Sequence, residues 1–166
     1  GLVGSEMCIR DRPLGESRRT QAWPLVGRFF ETGPALGFSV LNPLEDQIAW
    51  LRREKPDYLG AYAESLEHLA FALQEEAGIA PLRALQSVGE QVTPSLRQRV
   101  ESAFEAPLYQ SYGLNEIGPV ATECPEGKRF HVHSDFCVVE ILDENNQPCA
   151  AGQRGRLVVT TLTNTV

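Results

Sequence analysis

The sequence has few of the residues that disulfide frameworks and metal clusters need, with four cysteines and three histidines in 166 residues. No cysteine stands in a C-x-x-C pair, and four cysteines are too few for the scaffold of a small secreted domain. We therefore expect reduced thiols and a cytoplasmic location. Long apolar runs are also missing: no stretch approaches the roughly 18 residues of a transmembrane helix, so no membrane partner is expected.

Positive charge is scarce as well, because 15 Lys and Arg stand against 22 Asp and Glu, a net charge of −7. Nucleic acids and anionic membranes attract clustered cations, so neither is an expected partner. ATP is not excluded, because backbone amides, a metal ion and one or two charges can hold its phosphates locally. The hydrophobic share of 42% and the charged share of 22% are typical of a globular chain.

The hydrophobic pattern changes along the chain from alternating strands and helices to strands alone. Residues 13–119 predict an α/β portion, and residues 120–166 predict a β-rich portion of the same domain. The predicted fold class is therefore α/β, an alternating first half with a mixed sheet followed by a β-rich segment. The strands predicted in the β-rich segment are 120–124, 130–133, 137–142 and 156–162.

Helices are predicted where apolar residues recur at helical spacing. Asn42 is the expected N-cap of the first helix, and Thr93 with Pro94 opens the third. A further short helix is expected around residues 25–31. The apolar stripes of the three main helices are Leu44, Ile48 and Leu51; Tyr62, Leu66, Leu69, Ala70, Leu73 and Ala77; and Leu96, Val100 and Phe104.

The sequence predicts less structure at the two ends of the chain. Residues 1–12 have no clear period and resemble translated read-through of a sequencing adapter, so we expect a non-native or disordered tail there. The chain stops directly after a predicted strand, so we expect a piece of a longer polypeptide whose remainder is a partner. Apolar stripes and strand edges that await this remainder should make the isolated chain poorly soluble.

Two motifs follow predicted strands, where open α/β sheets bind ligands. In the first, Ser87-Val-Gly-Glu, the glycine lets the backbone approach a ligand closely. In the second, Tyr112-Gly-Leu-Asn-Glu, the ring can stack on a base. The Glu116 carboxylate suits Mg²⁺, which binds through one or two carboxylates together with phosphate oxygens. Taken alone, each motif also fits an ordinary turn.

A third motif, His131-Val-His-Ser-Asp, offers metal ligands. Alternate residues of a strand share a face, so His131, His133 and Asp135 can converge on one metal ion. The H-x-H-x-D pattern begins the ligand motif of metallo-β-lactamase-type hydrolases, which makes a metal-dependent hydrolase one alternative. Phe136 occupies the position where that pattern has another His, and a solvent-facing strand is the simpler interpretation.

Seven segments occur together in one order: residues 50–59, 87–90, 109–118, 123–124, 131–135, 139–143 and 155–162. In combination they resemble the phenylacetate–CoA ligase-like branch of the adenylate-forming, AMP-binding enzymes, over residues 20–166. The resemblance implies an internal fragment of the large N-terminal domain of such an enzyme. It also implies a two-step reaction, in which a carboxylate attacks the α-phosphate of ATP and the acyl group then passes to coenzyme A.

The same resemblance implies an aryl-acetate-like acid as substrate and Mg²⁺ as the metal. It assigns Gly89 and Glu90 to the adenine pocket and Tyr112 to the face of the base. Gly113 allows close approach of the backbone to the nucleotide.

Two residues of the same segment are assigned to the phosphate. The resemblance gives Asn115 a hydrogen bond to the α-phosphate and makes Glu116 the Mg²⁺ ligand, so these two are the implied catalytic residues. The phosphate loop, the ribose-binding segment and the C-terminal catalytic Lys of the family lie outside these 166 residues. We therefore expect no ligase activity from the chain alone.

The sequence departs from the family's usual residues at four positions. Gln110 replaces Asp, Asn115 replaces Thr or Ser, Val88 replaces Gly, and Arg156 replaces an acidic residue. The departures leave the acid unspecified and keep a non-catalytic nucleotide-binding relative as an alternative. A homodimer is one option for the assembly.

One structural metal site is also predicted. Cys124 and His131 lie seven residues apart across a predicted turn, a spacing that lets both reach one Zn²⁺. The other two ligands would come from beyond Val166. The alternative interpretation is a small buried cysteine and a polar strand histidine.

Overall fold

The computed structural model describes residues 6–10, 15, 17–23, 31–75, 78–127 and 129–162. The chain divides into two compact units, residues 1–110 and 111–166. This division comes earlier than the change of pattern at residue 120, because residues 111–114 pair with the strand Gly118–Glu123 that follows them.

The first unit is built on a mixed sheet. Its strands lie in the order β2-β3-β1-β4-β5, followed by the first residues of β6. Strands β3, β1, β4 and β5 run parallel, and β2 runs antiparallel to β3. The strand bounds are β1 Glu6–Arg10, β2 Ser17–Thr20, β3 Ala35–Ser39, β4 Tyr58–Tyr62, β5 Ala84–Val88 and β6 Leu108–Leu114.

Strand β1 lies within the segment that we expected to be a tail outside the fold, and here the structure differs. Residues 6–10 pair with β3 on one side and with β4 on the other, and Ile9 is buried. A five-residue strand between two parallel neighbours is too short to show a period in the sequence. The other residues of the expected tail lie outside the described residues.

Three helices alternate with the parallel strands, as the sequence predicts. They are α1 (Leu44–Glu54), α2 (Ala63–Glu75) and α3 (Pro94–Phe104). Their stripes join strand residues in one hydrophobic core, except that Leu44 is 36% exposed and Ala77 lies outside the described residues. The placement of Tyr62 on the second helix is wrong, because β4 continues through Tyr62 by pairing with β5 and α2 begins at Ala63. The helix predicted around residues 25–31 falls almost entirely outside the described residues. No described helix is long and apolar enough to span a membrane.

The two predicted helix caps have different outcomes. The Thr93 cap is confirmed, because Thr93 Oγ1 accepts a hydrogen bond from the Leu96 amide at 3.2 Å. The Asn42 cap is wrong, because α1 begins after Pro43 without a side-chain cap. Asn42 Oδ1 instead accepts a hydrogen bond from the amide of Gly15, 27 residues away, at 2.9 Å.

The second unit is β-rich, as predicted. The end of β6, β7 (Gly118–Glu123) and β8 (Phe130–Val132) pair antiparallel in chain order. Strands β9 (Cys137–Leu142) and β10 (Arg156–Thr161) form a separate antiparallel pair. Among the residues described in this unit, the buried hydrophobic side chains are Val120, Ala121 and Cys137.

Candidate functional site

The first candidate segment, Gly89-Glu90, lies between β5 and α3. Gly89 has a φ of +78°, in the left-handed region that glycine adopts without strain. A Cβ atom at this position would lie 3.2 Å from Cε1 of the Tyr62 ring. The positive φ therefore favours glycine at position 89, and a side chain there would also crowd the Tyr62 ring.

Glu90 is held at its side chain and at its backbone. Its Oε2 accepts a hydrogen bond at 2.9 Å from the amide of Glu64, the second residue of α2. The first amides of a helix lack partners within the helix and attract negative charge, so this carboxylate stabilises the start of α2. The Glu90 carbonyl accepts a hydrogen bond from Gln110 Nε2 at 3.1 Å. The adenine-pocket role of Gly89 and Glu90 stays a prediction.

The second candidate segment forms the hairpin between β6 and β7. Tyr112 and Gly113 lie within β6, which continues to Leu114, so the motif begins inside the strand that it was expected to follow. Asn115 and Glu116 follow in a turn that the Ile117 amide closes by donating to the Leu114 carbonyl at 3.2 Å. The Tyr112 ring, the Asn115 amide and the Glu116 carboxylate are all exposed. The structure thus places these three side chains on one hairpin, accessible to a ligand.

The structure gives a reason for glycine at position 113 that the sequence did not show. Tyr112 pairs with Ala121, whereas Gly113 pairs two residues earlier on β7, so Val120 is an extra, bulged residue. At Gly113 a Cβ atom would lie 2.9 Å from the carbonyl oxygen of Gly118. The hairpin itself therefore needs glycine at position 113, whether or not a ligand approaches there.

The residues of this turn fit a Mg²⁺ ion that arrives with a nucleotide. Glu116 offers a carboxylate, the kind of hard oxygen donor that Mg²⁺ prefers, and the Asn115 side chain offers an N–H donor for a phosphate oxygen. In the part of the chain that the structure describes, no group of three or more His, Cys, Asp or Glu residues can hold a metal. A Mg²⁺ ion at Glu116 would thus take most of its ligands from phosphate and water, as Mg²⁺ commonly does. These roles stay predictions.

The structure does not bring His131, His133 and Asp135 together as metal ligands, because the described residues contain no metal-binding group of three. Strand β8 ends at Val132 and a turn follows over residues 134–136, so the strand alternation does not extend to Asp135. His133 Nε2 instead lies 3.0 Å from Thr122 Oγ1, within hydrogen-bond distance.

Cys124 and His131 occupy neighbouring positions at the β7–β8 pair. His131 pairs with Thr122, and the Cys124 amide extends the ladder by donating to the Arg129 carbonyl at 2.7 Å. Cys124 therefore lies one diagonal step from His131 on the same face. Two residues supply half of a four-ligand zinc site, and this site stays a prediction.

Sequence reasoning missed a polar series that crosses the second unit. Ser111 Oγ lies 3.4 Å from Thr122 Oγ1, and Thr122 Oγ1 lies 3.0 Å from His133 Nε2. Each of these residues is polar at a strand or strand end, but only the pairing register shows that they are neighbours.

An open, polar groove lies at the turn ends of β9 and β10, lined by residues that include Asp143, Asn146, Arg154 and Arg156. Asp143 Oδ1 accepts two backbone hydrogen bonds of its own turn, and Arg156 donates to Asn146 Oδ1 at 2.6 Å. None of the predicted site residues lines this groove. Its polar groups stabilise the turn, and we assign it no ligand.

Solved structures of CoA ligases resemble this chain. A 2-hydroxyisobutyryl-CoA ligase in complex with 2-HIB-AMP and CoA matches 94% of the chain with a TM-score of 0.73 and 20% identity. A long-chain-fatty-acid-CoA ligase from Archaeoglobus fulgidus matches 79% with a TM-score of 0.60 and 15% identity. An amide bond synthetase from Marinactinospora thermotolerans matches 78% with a TM-score of 0.63 and 20% identity. At these identities the likeness shows the fold.

The chain spans 36%, 29% and 28% of the lengths of these three proteins, respectively. A search of curated proteins gives no significant match. The family described as AMP-binding enzyme matches residues 29–165, which is most of the chain. The chain therefore belongs to the AMP-binding enzyme family.

Proposed function

We propose that the protein containing this chain is an acid–CoA ligase, which forms an acyl-adenylate from a carboxylic acid and ATP and then transfers the acyl group to coenzyme A. The family match over residues 29–165 carries this proposal, and the likeness to solved CoA ligases supports it. The finer assignment, to the phenylacetate–CoA ligase-like branch with an aryl-acetate-like acid, rests on the ordered segments of the sequence.

In this proposal the hairpin turn of the second unit binds the phosphates. The Asn115 side-chain N–H donates to an α-phosphate oxygen, where negative charge builds as the acid attacks. Glu116 holds Mg²⁺, which when bound neutralises charge on the phosphates. The exposed Tyr112 ring stacks on a planar base, and in the first unit the Gly89 backbone contacts adenine.

We also propose a cytoplasmic location for the protein. All four cysteines are free thiols in the structure, which is the usual state in a reducing compartment. Oxidised Cys124 or Cys149 in protein isolated from its native cell would contradict this location. The homodimer stays a prediction.

Acid-dependent ATP–pyrophosphate exchange in the full-length protein that carries this chain tests the ligase proposal. The acids should include aryl-acetates, benzoate, a short hydroxy acid and a fatty acid, followed by an assay for the CoA thioester. We expect exchange with at least one aryl-acetate. Exchange without a thioester, together with product formed from an amine, would instead favour amide synthesis, the activity named for one structural neighbour.

Replacement of Glu116 by Gln tests the metal role within the same assay. We expect exchange at limiting Mg²⁺ to fall about tenfold or more, because the carboxylate charge acts on the metal. Glu126→Gln is the matched control, since Glu126 is an exposed glutamate in the next hairpin turn of the same unit. Equal rates in the two variants would remove Glu116 from the metal site. ATP binding without exchange for any acid would favour a non-catalytic nucleotide-binding relative.

A further inference from the structure

Glu90 receives hydrogen bonds from two distant parts of the first unit. The Glu64 amide reaches its carboxylate across 26 residues of sequence, and the Gln110 side chain reaches its carbonyl across 20 residues. These bonds join the segment between β5 and α3 to the start of α2 and to β6. The carboxylate and the carbonyl of Glu90 are therefore both engaged before any ligand arrives.

The Glu90 carboxylate caps the start of α2 from a distant part of the chain, whereas α3 is capped by a residue of its own sequence. Helix α3 is capped by Thr93, the residue directly before it. Helix α2 directly follows Tyr62, a residue type without the short side-chain acceptor of a typical N-cap. Glu90 supplies that acceptor from outside the helix. A glutamine at position 90 keeps an acceptor oxygen, whereas alanine removes it.

The side-chain amide of Gln110 donates a hydrogen bond to the backbone of Glu90. Its Nε2 is a donor, and the Glu90 carbonyl is the acceptor. A glutamate at position 110 has nearly the same shape but, when ionised, has no donor. The Gln110→Glu substitution therefore removes this hydrogen bond with almost no change of side-chain volume.

The Tyr62 ring and the hydrogen bonds of Glu90 both restrict the backbone conformation at Gly89. The Tyr62 ring crowds the space where a Cβ atom of residue 89 would be, and the two hydrogen bonds of Glu90 hold the residue that follows Gly89. We infer that Glu90 and Gln110 are positioning residues, which orient the backbone of Gly89 for the nucleotide base. This inference rests on the proposed nucleotide-binding function and extends it to two side chains that act through Gly89.

The experiment compares ATP and GTP binding by calorimetry in the wild-type protein and in four variants. Glu90→Ala and Gln110→Glu should each weaken ATP binding about 3- to 10-fold, the effect of one lost hydrogen bond. The preference for ATP over GTP should fall with it. Glu90→Gln keeps an acceptor oxygen, so it should weaken ATP binding less than Glu90→Ala does. Thr93→Ala removes a cap of the same kind from α3, so it should lower the melting temperature and leave ATP affinity unchanged.

Hydrogen exchange at the Glu64 amide separates this inference from the proposed function. Protection of that amide should be lost in Glu90→Ala and kept in Glu90→Gln and Thr93→Ala. Unchanged protection in Glu90→Ala would overturn the inference, and so would wild-type ATP affinity in both Glu90→Ala and Gln110→Glu. Equal losses in Glu90→Gln and Glu90→Ala would assign the charge itself to the ligand and overturn it as well. A wild-type protein that binds neither nucleotide would contradict the proposed function, and the pattern of Glu64 protection would then decide the positioning role alone.

Discussion

The two units bury their apolar side chains to different extents. In the first unit the stripes of three helices and the strands between them form one core, in which Leu51, Leu66 and Leu69 have no exposed surface. In the second unit, large apolar side chains remain 39–57% exposed: Phe130, Val132, Phe136, Val138, Ile141, Leu157 and Leu162. A sheet needs a second layer to bury its apolar face, and helices provide that layer in the first unit alone among the described residues.

This difference corrects the expectation about solubility. The sequence predicted that the helix stripes of α1 and α2 would await partners from elsewhere in the polypeptide. The stripes are buried within the first unit instead, apart from Leu44. Much of the exposed apolar surface lies in the second unit, where Ile141 and Leu157 are a cross-strand pair, and Leu41 and Phe71 of the first unit are exposed as well. The Ile141–Leu157 pair should therefore contribute to any tendency of the protein to associate.

The largest predicted effect tests the core of the first unit. Replacing Leu69 by Ala should lower the free energy of unfolding by about 2–5 kcal/mol, because it removes buried methyl groups and leaves a cavity. Leu157→Ala is the matched control on the exposed face of β10, and it should cost less than about 1 kcal/mol. Urea denaturation followed by circular dichroism measures both. Equal losses would show that the two units do not differ in this way.

A smaller effect is expected at the β6–β7 hairpin. Gly113→Ala should destabilise the second unit by about 1–3 kcal/mol, because the new methyl group would press on the Gly118 carbonyl. Gly127 serves as the control, since a Cβ atom there meets nothing within 4 Å. Two-dimensional NMR of both alanine variants should show shifts spreading through β6 and β7 only for Gly113. A Gly113 variant as stable as the Gly127 variant would contradict the close backbone contact.

The cap of α3 offers an effect confined to the first unit. Thr93→Ala should cost about 1 kcal/mol, because the Leu96 amide loses its partner. Thr93→Ser keeps the hydroxyl and should restore most of this loss. Thermal unfolding and amide exchange in the first turn of α3 report the change. A serine variant as unstable as the alanine variant would show that the threonine methyl group, and not the cap, is responsible.

The smallest effect on stability is expected on the exposed face of the second unit. Replacing Ile141 and Leu157 together by Thr should change the free energy of unfolding by less than about 0.5 kcal/mol, the usual range for surface positions. Self-association should fall nonetheless, because the exposed apolar pair is removed. Light scattering over a range of concentrations measures this. A wild-type protein that stays monomeric throughout the range would contradict the prediction.

Local patterns predicted much of the fold. The stripes of α2 and α3, the Thr93 cap and the strands of the second unit depend on residues close together in sequence, so their spacing was sufficient. The bulge at Val120 depends on the exact pairing register of one hairpin, which its local pattern does not specify. Strand β1 and the partner of Asn42 depend on pairing between distant segments. No window of the sequence contains both members of such a pair.

In the candidate site, too, local patterns located some residues but could not show their distant contacts. The sequence placed Tyr112 to Glu116 where a strand ends, and the structure places them on one hairpin. The family resemblance assigned Glu90 to the adenine pocket, and nothing near it in the sequence indicates that its carboxylate accepts a hydrogen bond from the Glu64 amide. Asp135 was grouped with two histidines on the assumption of a continuous strand, which the turn at residues 134–136 interrupts.

The hydrogen bond from the Glu64 amide to Glu90 also has a consequence for the order of folding. Helix α3 carries its cap in its own sequence, so its first turn can form as soon as that short segment collapses. The first turn of α2 lacks its acceptor until β5 has reached its place beside β4, which requires closing a loop of 26 residues. A nascent α2 should therefore fray at its N-terminus and become fully helical only when the sheet assembles, which makes this helix a late reporter of the folding transition.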